Sequence, residues 1–232
     1  MNPFSDFLEI EHIYSQTLGK GIKSVAVAAA NPGEGCSTLA CALADRHQRS
    51  GRSTLLVDMN LYRPSMDRRY NLPRANWDLS AQTFSRAIMN VSPGINVLTA
   101  SKNSAMDFRR SDLLQEVIRQ WEQEFDAIVI DTSPLNAINR NNVQAELFCS
   151  RVEATLMVVR SGLTTEAELL NAYGKLQRQN ANVIGVVMND IDCPTLSEEL
   201  VREARRVEKW LPALTSWLVS KVRQSHFLNL PV

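Results

Sequence analysis

Several features that assign a protein class at once are missing from this chain of 232 residues. Lys plus Arg and Asp plus Glu number 25 each, so no excess of positive charge argues for nucleic-acid binding. No apolar run approaches the ~20 residues that a membrane-spanning helix needs. The first residues also lack the basic and apolar regions of a signal peptide. We therefore expect a cytoplasmic protein that binds no nucleic acid.

Cysteine is sparse as well. The four cysteines are Cys36, Cys41, Cys149 and Cys193. They are scattered and show none of the spacings that hold a metal ion. This pattern fits free thiols in a reducing compartment.

Length and composition indicate one ordinary globular domain, since 44% of the residues are hydrophobic and 22% are charged. We expect an N-terminal helix within residues 1–21, a core over 22–190 and a C-terminal helical segment over 191–232. Six short apolar runs predict strands: Val25–Ala30, Thr54–Asp58, Gly94–Ala100, Phe125–Asp131, Glu153–Val159 and Asn182–Met188. Because they alternate with helical patterns, they predict an α/β fold with a mostly parallel twisted sheet and helices on both faces.

The helical patterns between the strands are less regular. They predict helices over Ser80–Met89, Asn139–Phe148 and Glu166–Gln179. Ser111 is expected to cap another helix that runs to about Glu124.

One stretch combines a strand, a glycine turn and a helix in succession. An apolar run leads into Asn31–Thr38, and an Ala/Leu-rich helical pattern follows. Glycines let several N–H groups converge on one point, and the helix N-terminus adds partial positive charge there, so this arrangement binds phosphates. The usual form of the loop is G-x-x-x-x-G-K-[ST]. Gly35 and Ser37 keep their positions, whereas Ala30 replaces the first glycine and Cys36 replaces the lysine.

Two of the predicted strands end in an acid. Asp58 closes Thr54–Asp58, and Asp131 closes Phe125–Asp131. Open α/β sheets bind ligands at the carboxyl ends of their strands, so both acids are candidates for catalysis beside the phosphate loop.

Taken together, these elements resemble the deviant-Walker P-loop ATPases. Within that superfamily they are more similar to the bacterial tyrosine kinases of capsule and exopolysaccharide synthesis than to the partition and division-site ATPases. The matching stretches, in the expected order, are Asn31–Thr38, Leu55–Met66, Phe125–Leu135, Val158–Thr165 and Ile184–Asp190.

The resemblance implies a P-loop NTPase fold that binds ATP or ADP with Mg²⁺. It assigns the metal to Ser37 and Asp131, and the activation of water or an acceptor to Asp58. The residues that it implies in nucleotide binding are Gly33, Glu34, Gly35, Cys36, Ser37, Thr38 and Asn189, the last at the adenine edge.

The departures from the family pattern concern charge. Cys36 supplies none of the positive charge of the usual lysine, and Asn31 stands where the partition ATPases carry a second lysine. Asn60 replaces the second acid of an Asp-x-Asp pair. Tyr14 and Thr17 stand where the kinases carry arginines for ring assembly, and the C-terminal part of the chain has no tyrosine cluster. Because phosphoryl transfer is driven by positioned positive charge, these losses predict weak or no turnover. They leave open whether ATP or ADP with Mg²⁺ is bound, bound weakly or not bound.

Three functions remain open at this point. The first is a regulatory or scaffold pseudoenzyme that works with export or polymerase membrane proteins at the inner membrane, alone or as a homo-oligomer. The second is an active ATPase or tyrosine kinase that draws its charge from Arg63, Arg160 or a neighbouring subunit. The third is a membrane-positioning ATPase relative, since the segment after Pro194 reads as a basic amphipathic helix, which can equally pack on its own core.

Overall fold

The computed structural model describes residues 7–103, 105–137 and 142–191, together with 201, 204, 221 and 222. The described strands are β1 Ser24–Ala29, β2 Thr54–Met59, β3 Ile88–Ser92, β4 Ile95–Leu98, β5 Ala127–Thr132, β6 Ala154–Arg160 and β7 Val183–Asn189. The described α-helices are α1 Leu8–Gln16, α2 Cys36–Gln48, α3 Met66–Arg69, α4 Ala81–Ala87, α5 Ser111–Glu124, α6 Ala145–Cys149 and α7 Glu166–Arg178. Two 3₁₀ turns lie at Leu18–Lys20 and Ala105–Phe108.

The strands form one sheet in the order β3-β4-β2-β5-β1-β6-β7. Strand β1 runs parallel to β5 and β6, and β2 runs parallel to β4 and β5. Every residue of β1, β2 and β5 is buried, as expected of parallel strands that are covered on both faces. Along β1, Ala26 and Ala28 pack into one hydrophobic cluster, and Val25 and Val27 pack into a second one. The predicted α/β class is confirmed.

A hairpin at one edge of the sheet was not predicted. Residues Ile88–Ser92 form β3, which pairs antiparallel with β4, so the predicted helix Ser80–Met89 is wrong at its C-terminal end. The helix there ends at Ala87. Strand β3 is half-buried or exposed along its whole length, and it therefore lacks the continuous apolar pattern of a central strand.

Two helix starts also differ from the prediction. Arg110, not Ser111, is the N-cap of α5, and it makes no side-chain capping bond. The predicted helix Asn139–Phe148 is too early, because α6 begins at Ala145, and 138–141 lie outside the described residues. A capping box is present instead at α7, where the side chains and amides of Thr165 and Glu168 bond reciprocally.

Contacts within the chain group the residues into two compact units. The first comprises Met1–Val159 and Thr164–Asn189, and the second comprises Arg160–Leu163 and Asp190–Val232. The single-domain organisation stays a prediction. The basic amphipathic helix expected after Pro194 falls outside the described residues, apart from the four named above. Among the helices that the structure describes, none combines the length and the hydrophobicity needed to cross a membrane.

Candidate functional site

The loop between β1 and α2 takes its shape from two glycines with left-handed backbones. The φ angles of Gly33 and Gly35 are 87° and 110°, which side chains strongly disfavour. A Cβ atom added to Gly35 would lie 2.7 Å from Nδ2 of Asn189. Gly35 is therefore required both for the turn and for the close approach of its neighbour.

Helix α2 begins directly after this turn, and its start faces no capping side chain. Gly35 is the N-cap, and the helix has no side-chain capping bond there. The N–H of Leu39 makes the first intrahelical bond, to the carbonyl oxygen of Gly35 at 3.0 Å. The amides of Cys36, Ser37 and Thr38 precede that bond and have no intrahelical acceptor. Together with the helix dipole, they favour an anion at this position.

A cavity of about 220 Å³ opens in front of the loop. Its described lining comprises residues of the loop, including Cys36, the last residue of β5, Thr132, and residues that follow β2 or β5: Asn60, Tyr62, Arg63 and Pro134. Arg63 is the one Lys or Arg in that lining, and its Cζ lies 5.6 Å from the centroid of the Tyr62 ring. The cavity therefore has a phosphate-type cradle but a single positive side chain.

The loop is held from behind by a buried carboxylate. Glu34 is 3% exposed, and its Oε2 accepts the N–H of Ala30 at 3.0 Å. Its Oε1 accepts the hydroxyl of Thr164 at 2.5 Å. Nothing in the sequence around Thr164 indicated this role, because the contact joins residues 130 positions apart. Glu34 thus supports the curvature of the loop from inside.

Asn189 lies against the same loop. Its Nδ2 donates to the carbonyl oxygen of Glu34 at 2.9 Å. The structure therefore brings this residue beside Gly35, at the back of the turn, and the cavity lining does not include it. The role at the adenine edge stays a prediction.

The serine and the acid expected at the metal position meet directly. The Ser37 hydroxyl donates to Oδ2 of Asp131 at 2.5 Å. The other carboxylate oxygen, Oδ1, is buried and finds no hydrogen-bond partner among the residues that the structure describes. Mg²⁺ prefers oxygen ligands and commonly takes one or two protein groups together with phosphate and water. A hydroxyl beside an unsatisfied carboxylate oxygen fits such an ion.

No group of three or more His, Cys, Asp or Glu side chains that could hold a metal is found in the described part of the chain. An ion at Ser37 and Asp131 would therefore depend on phosphate oxygens and water for its remaining ligands.

Asp58 is the neighbour of Asp131 in the sheet, but its oxygens are already engaged by backbone amides. Its Oδ2 accepts the N–H groups of Ser65 and Met66 at 3.0 Å each, and its Oδ1 accepts the N–H of Asn60 at 3.1 Å. These bonds hold the start of α3. The carboxylate that the sequence assigned to catalysis therefore has a structural task in this chain.

Burial, and the repulsion between their charges, favour the protonated forms of the Asp58 and Asp131 carboxyl groups. Burial raises the pKa of Asp58 to about 6, although the three amide bonds oppose the change. Burial, and then the nearby Asp58 charge, raise the pKa of Asp131 well above its usual range. Burial, Asp131 and Glu34 likewise raise the pKa of the Cys36 thiol, so Cys36 lacks the thiolate character of a nucleophile.

Comparison with known proteins places these motifs in a family context, although no family model matches the chain. The tyrosine-protein kinase CpsD of Streptococcus pneumoniae is 26% identical over 195 residues, which are 76% of this chain and 80% of CpsD. The succinoglycan biosynthesis transport protein ExoP of Rhizobium meliloti is 24% identical over 191 residues, which are 78% of this chain but only 24% of ExoP.

Solved structures agree on the fold. The kinase domain of VpsO superposes with a TM-score of 0.66 at 21% identity, over 80% of this chain and 94% of that domain. The septum site-determining protein MinD of Pyrococcus horikoshii, solved in complex with Mg-ADP, gives 0.59 at 16% identity, over 74% of this chain and 72% of MinD. The chain is therefore a homologue of the bacterial tyrosine kinases of capsule synthesis, and it has the fold of the P-loop NTPases.

Proposed function

We propose that this chain is a nucleotide-binding regulatory component of exopolysaccharide or capsule synthesis that turns nucleotide over weakly or not at all. The observation that carries the proposal is the lining of the first cavity. Cys36 occupies the lysine position of a loop whose turn and helix start are otherwise intact. A module that binds nucleotide without consuming it can signal through its bound state.

Ground-state binding and turnover respond differently to the loss of the lysine. The amides of Cys36–Thr38, the helix dipole and a Mg²⁺ ion at Ser37 and Asp131 can hold phosphates without it. The transition state spreads additional charge over the transferred group, and a neutral thiol gives no charged hydrogen bond there. One such bond is worth about 1.5–3 kcal/mol. We therefore expect turnover to suffer more than binding.

Calorimetric titration with Mg·ATP and Mg·ADP, paired with an assay of phosphate release, tests this proposal. We expect both nucleotides to bind and the release of phosphate to stay near background. Cys36→Lys should raise the affinity for Mg·ATP about tenfold, whereas the neutral control Cys36→Met should not. Absence of binding by the unaltered protein, or equal affinities of the two variants, would overturn the proposal.

Arg63 favours a second candidate, an ATPase or kinase with a displaced cation. It is the single Lys or Arg side chain in the described cavity lining, so its guanidinium could answer the charge that the lysine usually meets. This candidate predicts phosphate release that Arg63→Ala abolishes. Arg68→Ala is the matched control, because Arg68 bonds to the carbonyl oxygen of Pro64 and does not line the cavity.

A membrane-bound export or polymerase protein is the partner that the relatives support. ExoP is named as a transport protein of succinoglycan synthesis, and this chain matches about a quarter of it. Membrane fractionation of the native cell tests the association at the inner membrane. We expect the protein to sediment with inner membranes that contain the export machinery, and its recovery from the cytosolic fraction alone would contradict this part of the proposal.

A further inference from the structure

A second cavity, of about 130 Å³, is lined in part by the segment that follows β5. Pro134 lines both cavities. The amides of Leu135 and Asn136 donate to the carbonyl oxygens of Ala29 and Ala30 at 2.9 Å each, which fixes this segment to the start of the phosphate loop. The second cavity therefore sits beside the nucleotide site without sharing its phosphate cradle.

Two cations from distant parts of the chain reach this cavity. Arg109 follows the 3₁₀ turn Ala105–Phe108, and its Nη2 donates to the carbonyl oxygen of Asn142 at 3.3 Å. Lys175 comes from α7, and its Nζ donates to the carbonyl oxygen of Leu135 at 2.6 Å. Both side chains line the cavity, and neither forms an ion pair among the described residues. The described lining therefore carries two cations against one carboxylate, that of Glu146.

The same cavity also offers acceptors for hydroxyl groups. Asn142 is 6% exposed, and its Nδ2 donates to the carbonyl oxygen of Ala137. Its Oδ1 is buried and has no hydrogen-bond partner in the described ranges. A buried acceptor without a donor carries a desolvation penalty, which a hydrogen bond from a ligand hydroxyl would relieve. Glu146 adds a carboxylate to the lining.

We propose that this second cavity binds a small hydroxylated anion, either a sugar phosphate or a sugar acid. Arg109 and Lys175 hold the anionic group, and Asn142 and Glu146 accept hydroxyl hydrogens. The apolar side chains of Pro134 and Val143 offer a surface for the C–H face of a sugar ring. This assignment goes beyond the nucleotide site, and neither depends on the other.

Titration of the full chain with D-glucose 1-phosphate and D-glucuronate, each up to about 10 mM, tests the assignment. Inorganic phosphate and neutral glucose serve as probes that carry only half of the required chemistry. We expect one or both sugar anions to bind about tenfold more tightly than inorganic phosphate or glucose does. Whether the phosphate or the carboxylate compound binds then identifies the anionic group of the ligand.

The matched variants locate the bound ligand. Arg109→Gln should weaken binding of the sugar anion about tenfold, because it removes one charged hydrogen bond. Arg110→Gln should leave it unchanged, since Arg110 pairs with Asp112 and does not line the cavity. No binding of either sugar anion, or unaltered binding in Arg109→Gln, would overturn the assignment, because a ligand on the phosphate loop would not respond to Arg109.

Discussion

The phosphate loop and the two acidic strand ends lie next to each other but differ in what their polar groups do. The loop keeps the amides of Cys36–Thr38 without intrahelical acceptors and holds its own shape through Glu34. At the strand ends, Asp58 is engaged by three backbone amides and Asp131 is bonded to Ser37. The loop is built to receive an anion. At the strand ends, both oxygens of Asp58 are satisfied by backbone amides, and Oδ1 of Asp131 is left without a partner among the described residues.

Under the proposed function, this difference separates nucleotide binding from catalysis within one fold. Binding needs converging amides, which the backbone supplies through turn geometry. Catalysis needs free charged side chains, and here the lysine position is neutral and Asp58 holds α3. Substitutions at the strand ends and in the loop test these two regions separately.

Removing the Asp58 carboxylate should unfold the protein more easily. Asp58→Ala leaves the amides of Asn60, Ser65 and Met66 without their acceptor. We expect the free energy of unfolding to fall by about 3 kcal/mol, since each buried unsatisfied donor costs roughly 1–3 kcal/mol before relaxation. Urea denaturation of the nucleotide-free protein measures this change.

Asp112→Ala is the control for that loss. Asp112 is exposed in the first turn of α5, where its carboxylate lies 3.6 Å from the guanidinium of Arg110. Its removal should change stability by less than about 1 kcal/mol. Equal effects of the two substitutions would show that Asp58 has no special structural task.

Adding one methyl group to the phosphate loop should weaken nucleotide binding. Gly35→Ala places a Cβ 2.7 Å from Nδ2 of Asn189 at a φ of 110°. The loop must shift, and we expect nucleotide affinity to fall about a hundredfold, which corresponds to strain of a few kcal/mol. Calorimetric titration with Mg·ADP measures the loss.

Gly51→Ala controls for backbone strain alone. Gly51 also has a positive φ, of 76°, but a Cβ there meets nothing within 4 Å. This variant should lose some stability and keep its nucleotide affinity. A similar loss of affinity in both variants would mean that the geometry at Gly35 is not what shapes the site.

The buried acid pair should make stability depend on pH in an unusual direction. Burial raises the pKa of Asp58 to about 6 and that of Asp131 well above its usual range, so the folded state holds protons that the unfolded state releases. The contribution of the pair to stability is therefore present at acidic pH and is lost as the pH rises through about 4 to 6 and beyond.

Asp131→Asn removes one of these charges and can keep the bond from Ser37. We expect the melting temperature to rise by about 3–6 °C at pH 8, which corresponds to roughly 1–2 kcal/mol, and to change little at pH 4. Thermal unfolding of both proteins at the two pH values measures this. A gain of the same size at pH 4 would contradict the assignment of the effect to ionisation.

Local patterns predicted the central sheet and the phosphate loop well. The runs at Thr54–Asp58 and Phe125–Asp131 are buried on both faces, so their composition alone marks them as strands. Strand β3 was missed because Ile88–Ser92 lies at an edge and is half-exposed. The hydrophobic pattern of a stretch therefore indicates how deeply it is buried. It identifies a strand only where that strand is buried.

The tertiary contacts of the site could not be predicted in the same way. The resemblance to the deviant-Walker P-loop ATPases placed Ser37 and Asp131 at one metal site. The structure brings the two side chains together, because the loop that leads into α2 follows β1 and Asp131 lies near the carboxyl end of β5, the neighbour of β1 in the sheet. Nothing in the sequence indicated that Thr164 would bond to Glu34 or that Ser65 would bond to Asp58. Such contacts depend on where loops fold back, which residue types alone do not encode.

Phosphate release under single-turnover conditions, with protein in excess over Mg·ATP, decides whether the bound nucleotide is cleaved. We predict that the unaltered protein binds the nucleotide and releases phosphate no faster than the buffer. Cys36→Lys should restore affinity and accelerate release relative to Cys36→Met. Release by the unaltered protein that is faster than in buffer and that disappears in Arg63→Ala would contradict the proposed function, because the missing cation would then have been replaced.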